Sequence, residues 1–134
     1  MCWLLDEARA PEVREPFGAA VLVLASSLTL IECERVLIRA VATNLLPEAV
    51  AAERRAVLAC TAGHWVVLDL DTEVMERARR PFPAEPIRTL DAIHLATAVL
   101  ARSLVPDLAV LSLDERIRRS AEQMGFRVLP GVAP

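Results

Sequence analysis

Four short runs in this chain are apolar almost without interruption: AVLVLA at 20–25, WVVLDL at 65–70, LAVLSL at 108–113 and FRVL at 126–129. A strand with one wet face alternates apolar and polar residues, whereas a continuous apolar run of this length reads as a strand buried on both faces. Helix signals separate the runs. Ser26 or Ser27 caps a helix reaching about Asn44, and Pro47 suits the first turn of another that ends before Gly63. Asp71 or Thr72 caps a helix to about Arg80, and Thr89 caps TLDAIHLATAVLARS. The stretch SLDE at 112–115 fits a capping box opening ERIRRSAEQM, which Gly125 ends. MCWLLDEA reads as a short helical piece. Residues 9–18, with Pro11, Pro16 and Gly18, read as a loop, and so does the stretch with Pro81, Pro83 and Pro86, because proline fixes φ and lacks a donor. Strands alternating with helices describe an α/β domain whose parallel sheet is covered by helices on both faces. At 134 residues, with no internal repeat and no long linker, residues 1–134 are expected to form a single domain.

Composition narrows the chemistry. All 15 basic residues are arginine, so a Walker-type phosphate loop, a Schiff base or a receiver domain with its signalling lysine is excluded. A net charge of -3 argues against a large basic surface for nucleic acid, although an anionic site can still meet phosphate through a bound cation. Cys2, Cys33 and Cys60 are odd in number and make no CxxC or zinc-type spacing, which suits a reducing cytoplasm. The uncharged stretch 17–31 is too short to span a bilayer, which takes about 20 apolar residues, and nothing around it reads as a signal peptide.

Sites in parallel α/β sheets lie beyond the carboxyl ends of the strands. Three carboxylates fall there. Glu32 sits in the first turns after AVLVLA, Asp91 in the first turn of TLDAIHLA, and Asp114 directly after LAVLSL. Each alone has a plain explanation. An acid in a helix first turn gains about 0.3–1 kcal/mol from the macrodipole, and a Glu32–Arg35 pair on a solvated face is worth about 0.2–0.5 kcal/mol. Glu34 falls in the apolar arc of its helix, between Val41 and Ile38, and by periodicity is the odder carboxylate. Together, carboxylates converging at strand ends would raise each other's pKa unless a cation lay between them. Hard oxygen ligands without a His or Cys cluster point to Mg²⁺ or Mn²⁺, and such an ion suits phosphodiester hydrolysis.

The segments SSLTLIECERVLIRA (26–40), RTLDAIHLATA (88–98) and VLSLDERIRRSAEQMGFRVL (110–129) together resemble a PIN-domain ribonuclease, of the kind that forms the VapC toxin of VapBC toxin–antitoxin pairs. The likeness covers nearly the whole chain. It implies a PIN-like three-layer sandwich. It also implies that the S-x-x-T-x-x-E segment, here Ser26, Thr29 and Glu32, supplies a helix glutamate, preferring Glu32 to Glu34. Asp91 matches the LDA aspartate, and Asp114 the aspartate after the strand end, with Ser112 in the hydroxyl position. The function implied is an endoribonuclease that uses Mg²⁺ or Mn²⁺ to cut RNA, is often a homodimer, and is inhibited by a VapB-like antitoxin whose tail enters the acidic pocket.

The resemblance also implies a first strand at the sheet centre, ending in an aspartate that is a fourth ligand. The chain opens at MCWLLDE, which matches the middle of the helix after that strand, and Asp6 falls too far along to replace the ligand. One strand and one carboxylate of four are therefore expected to be missing. Either an upstream segment encodes them or the chain is a truncated, inactive module that binds an antitoxin or another partner. Unpaired sheet groups cost about 1–3 kcal/mol each when buried, against a total stability of about 5–15 kcal/mol. The isolated chain is thus expected to be marginal, relaxed, or dimerised across the gap.

Other residues carry weaker signals. His94, three residues after Asp91 on the same helix face, could orient the aspartate or touch RNA, though a packed histidine is the commoner case. His64 reads as a loop residue. Asp69-Leu70-Asp71-Thr72 resembles a phosphatase DxDxT with the threonine one place early and no lysine to follow, so helix capping explains it better. Arg116, Arg118 and Arg119 suit either a solvated face or RNA phosphates. Trp3 and the loop 80–88 are candidates for an antitoxin or dimer surface.

Overall fold

The computed structural model of the protein describes residues 2–5 and 7–131, the side chains of Cys2 and Trp3 excepted. The expectations for the Trp3 side chain and for Asp6 lie outside the described residues. The elements run α1 (Cys2–Leu5), α2 (Ala10–Ala19), β1 (Leu24–Ser26), α3 (Ser27–Ala42), α4 (Glu48–Ala62), β2 (Val66–Leu68), α5 (Thr72–Ala78), α6 (Thr89–Leu104), β3 (Ala109–Leu111), α7 (Glu115–Gln123) and β4 (Arg127–Leu129). The α/β order matches the sequence pattern, and every strand pairing is parallel. No helix among the described residues is long and apolar enough to cross a membrane.

The sheet differs from expectation. Among the described residues β1 pairs with β2 and β3 with β4, but β1 and β3 do not pair with each other. The parallel strands form two pairs instead of the one sheet that the sequence pattern predicts. The strands are also shorter than the apolar runs that contain them. Only the end of AVLVLA is strand, and Val21 and Leu22 before it are exposed. Strand β2, expected to be buried, is largely exposed, with Val66 at 45% and Val67 at 37%. An apolar run forms a doubly buried strand only if elements cover both faces, and β2 has one strand neighbour.

Residues 9–18 form a helix rather than a loop for most of their length. Pro11 sits at the helix start, where its missing N–H would have no intrahelical partner. Pro16 lies inside and deprives the Glu12 carbonyl of its donor, a loss one short helix can carry. The Phe17 ring meets Trp65 edge to face at 5.7 Å, fastening the end of α2 beside the start of β2.

Two clusters hold the molecule together. The larger joins Leu28, Phe82, Ile93, Leu95, Ala121 and Phe126, with Val110 of β3 and Val128 of β4 packed against it. The smaller comprises Leu4, Cys33, Leu37 and Leu58, with Trp65 alongside. Leu37 is fully buried, so truncation to alanine there removes about 2–5 kcal/mol. Glu34, out of place by periodicity, is half exposed and pairs with Arg55 of α4 at 3.6 Å. Arg55 also holds Glu48 at 2.6 Å. Glu34 is therefore a cross-helix surface partner that the pattern on one helix could not show.

The β3–β4 pair has a clamp. Arg118 is buried, and its guanidinium donates to the carbonyls of Ser112 (2.8 Å), Leu129 (3.0 Å) and Pro130 (2.9 Å). Its role is to tie two strand ends, and it is not placed to meet RNA; Arg116 and Arg119 are exposed. The loop after α5 is anchored too. Phe82 is buried beneath the Arg77 guanidinium at 4.1 Å, and the Glu85 carboxylate accepts from the N–H groups of Phe82 and Ile87.

Candidate active site

Glu32, Asp91 and Asp114 reach their positions by three different local routes. Ser26 ends β1 and caps α3: its hydroxyl accepts from Leu28 N–H at 3.1 Å, and its backbone is extended. That fixes the frame of the helix, and two turns later Glu32 lies half-buried. Thr29, one turn earlier on α3, is also half-buried.

Asp114 is the N-cap of α7. Its Oδ1 accepts from Arg116 N–H at 2.8 Å and Ile117 N–H at 3.4 Å. The expected capping box is displaced accordingly. Ser112 stands one step outside, its hydroxyl accepting from Asp114 N–H at 3.1 Å, while its own N–H donates to Leu129 across the strand pair. Ser112 thus sets the backbone that presents Asp114, and Asp114 Oδ2 makes no hydrogen bond. Asp71 caps α5 in the same manner, accepting from Val74 N–H at 2.9 Å, which accounts for the DLDT stretch.

Asp91 behaves differently. It lies in the first turn of α6 but caps nothing. The N-cap position is Arg88, with no side-chain cap, and Thr89 is already inside the helix. Asp91 Oδ2 is buried with no hydrogen-bond partner, one of two such side-chain atoms among the described residues, the other being Ser120 Oγ. Burial raises the Asp91 pKa first, and the nearby charge of Asp114 raises it next. Glu32 pushes the same way, while Arg88 and His94 oppose. The three carboxylates therefore share one electrostatic neighbourhood centred on Asp91, as like charges at strand ends require.

His94, one turn after Asp91 on α6, meets Glu32 rather than the aspartate. Its Nε2–H donates to Glu32 Oε2 at 2.6 Å, with the side chains 21% and 24% exposed. This bond joins α6 to α3 across 62 residues of sequence. The i, i+3 spacing from Asp91 signalled that His94 shares its face; the identity of its partner depended on how α3 docks. His64 lies in the turn after α4, its Nδ1 against the Cys60 carbonyl at 2.9 Å, away from this site.

Each carboxylate thus keeps an oxygen without a hydrogen bond: Oε1 of Glu32, Oδ2 of Asp91 and Oδ2 of Asp114. All are hard donors, and the buried Asp91 oxygen is one that a hard dication would satisfy. They are not drawn tightly together. Among the described residues no group of three or more His, Cys, Asp or Glu is gathered closely enough to hold a metal ion. A groove of about 540 Å³ opens beside the start of α6, lined by Arg79, Arg80, Ile87 and Thr89, and none of the three carboxylates lines it.

Comparison with known proteins identifies the family. The family model for the PIN domain matches residues 2–123. Two curated relatives, each Ribonuclease VapC35, from Mycobacterium tuberculosis strains CDC 1551 / Oshkosh and ATCC 25618 / H37Rv, are 39% identical over 61 residues. That stretch is 45% of this chain and 45% of each relative, less than half of either. No solved structure matches. With the family model spanning β1 to α7 and all three carboxylates, the chain belongs to the PIN-domain family.

Proposed function

We propose that this chain is a metal-dependent endoribonuclease, the toxin of a type II toxin–antitoxin pair. The observation that carries the reading is the Asp91 carboxylate, whose buried oxygen lacks a partner while Asp114 and Glu32 crowd it with like charge. Helix capping does not explain such an aspartate. A cation does, because it reverses the repulsion and completes the oxygen.

In this reading Glu32, Asp91 and Asp114 would hold one or two Mg²⁺ or Mn²⁺ ions. A hard dication at these carboxylates would supply Lewis-acid polarisation of an RNA phosphate and activation of a water for its hydrolysis. Asp114 presents its ligand from a fixed helix cap, Ser112 sets the backbone before it, and Thr29 offers a hydroxyl one turn from Glu32. Arg116 and Arg119, exposed on the helix that Asp114 caps, suit contacts to flanking RNA phosphates. The reading includes a VapB-like antitoxin that enters the acidic pocket, a homodimer and a cytoplasmic setting; the relatives' name, Ribonuclease VapC35, supports its ribonuclease part.

The test is RNA cleavage with Mg²⁺ or Mn²⁺, beside Asp91→Asn. Loss of about a hundredfold or more is expected, in line with removal of one major source of transition-state stabilisation. Mn²⁺ should also raise the melting temperature of the wild-type chain and not of Asp91→Asn. Equal background cleavage by both proteins would sink the enzyme reading. A second reading, a catalytically inactive module that binds antitoxin or another partner, is favoured by the absence of three gathered ligands among the described residues. It predicts antitoxin binding with no metal-dependent cleavage.

A further inference from the structure

We infer that His94 is a positioning residue for Glu32, one that presets the glutamate for a cation and thereby sets the metal affinity of the site. The inference rests on the carboxylate-site reading above. Its observation is the 2.6 Å bond between His94 Nε2 and Glu32 Oε2, both groups about four-fifths buried.

A glutamate on a helix has three side-chain torsions and retains large rotamer entropy until something fixes it. His94 fixes it by one oxygen, leaving Oε1 as the oxygen with no hydrogen bond. The clamp and Asp91 are carried one turn apart on the same helix, so α6 places one carboxylate directly and orients a second through its histidine. Asp114 is oriented by its own cap and by Ser112. Glu32 is thus the carboxylate of the three held by a side chain from another element. Partners of this kind behind a metal ligand are worth about 10–100-fold in metal affinity.

The experiment measures Mn²⁺ binding to the full chain by electron paramagnetic resonance, without RNA. His94→Ala should weaken binding 10–100-fold. His94→Gln should recover most of it, because the glutamine amide can donate in place of the imidazole N–H. The chain has two histidines, which gives a check that needs no variant: substoichiometric Mn²⁺ should broaden the ring signals of His94 well before those of His64. Wild-type affinity in His94→Ala, no recovery in His94→Gln, or equal broadening of both rings would each overturn the inference. The parent reading fails separately. If wild type and Asp91→Asn bind Mn²⁺ alike, or neither binds, the carboxylate site itself is refuted and the inference goes with it. If Asp91→Asn abolishes binding while His94→Ala leaves it intact, only the role of His94 is lost. Should His94→Ala not fold, the glutamine variant and the ring broadening still decide.

Discussion

The starts of α6 and α7 carry the same residue type under opposite conditions. Asp114 begins α7 as a working cap, two backbone N–H groups on one oxygen, with Ser112 behind it and the Arg118 clamp one turn on. Asp91 lies in the first turn of α6 with a buried, unpartnered oxygen and like charges for neighbours. The sequence offers the macrodipole as one reason for both. The structure separates a carboxylate that stabilises its helix from one whose surroundings disfavour its charge. The second kind is where function concentrates, because folding alone would not select it.

The largest effect is expected on the Asp114 side, at the Arg118 clamp. Arg118→Ala should lower the unfolding free energy by about 2–4 kcal/mol, since hydrogen bonds to a charged group are worth about 1.5–3 kcal/mol and the bared carbonyls add their own penalty. A urea titration with a midpoint close to wild type would remove Arg118 from the account of β3–β4. Next in size, Asp114→Ala should lose about 1 kcal/mol as the cap disappears, while Asp114→Asn keeps most of it. An alanine variant as stable as wild type would mean that the cap contributes nothing.

The smallest effect has the opposite sign. In metal-free buffer Asp91→Asn should match or exceed wild type near neutral pH. The folded chain holds the Asp91 proton above the ordinary carboxylate value of 3.8, because burial and then Asp114 disfavour the charged form. Between that value and the folded pKa the folded state binds more protons than the unfolded state, so wild-type stability falls as pH rises through the window. The asparagine variant lacks this fall. Its advantage should shrink as the buffer is acidified through the same window, and an advantage that grew on acidification would contradict the assigned cause.

Much of this was legible in the chain itself. The alternation of apolar runs and helix signals described the α/β order and the parallel pairing; position after the strands drew attention to Glu32, Asp91 and Asp114, and the family resemblance preferred Glu32 to Glu34. What was not legible depended on partners from elsewhere. Val66 and Val67 read as core because their run is apolar, yet burial needs a covering element that a one-dimensional pattern does not contain. Glu34 looked anomalous until Arg55 of α4 came beside it. Arg118 looked like its exposed neighbours, and only the approach of β4 turned it inward. Pro11 and Pro16 argued for a loop, but a proline at a helix start is no obstacle, and the chain tolerates the other.

The division of the strands into two pairs has a consequence for how the molecule meets others of its kind. One sheet of four strands has two edges; two sheets of two have four. Every edge offers unpaired N–H and C=O groups as a template for a foreign strand. Each strand here is three residues long, and brevity is itself a protection, because a short ladder holds an intruder by few bonds. A change that lengthened β1 back into the exposed Val21–Leu22 segment would extend such a template and raise the tendency to self-associate.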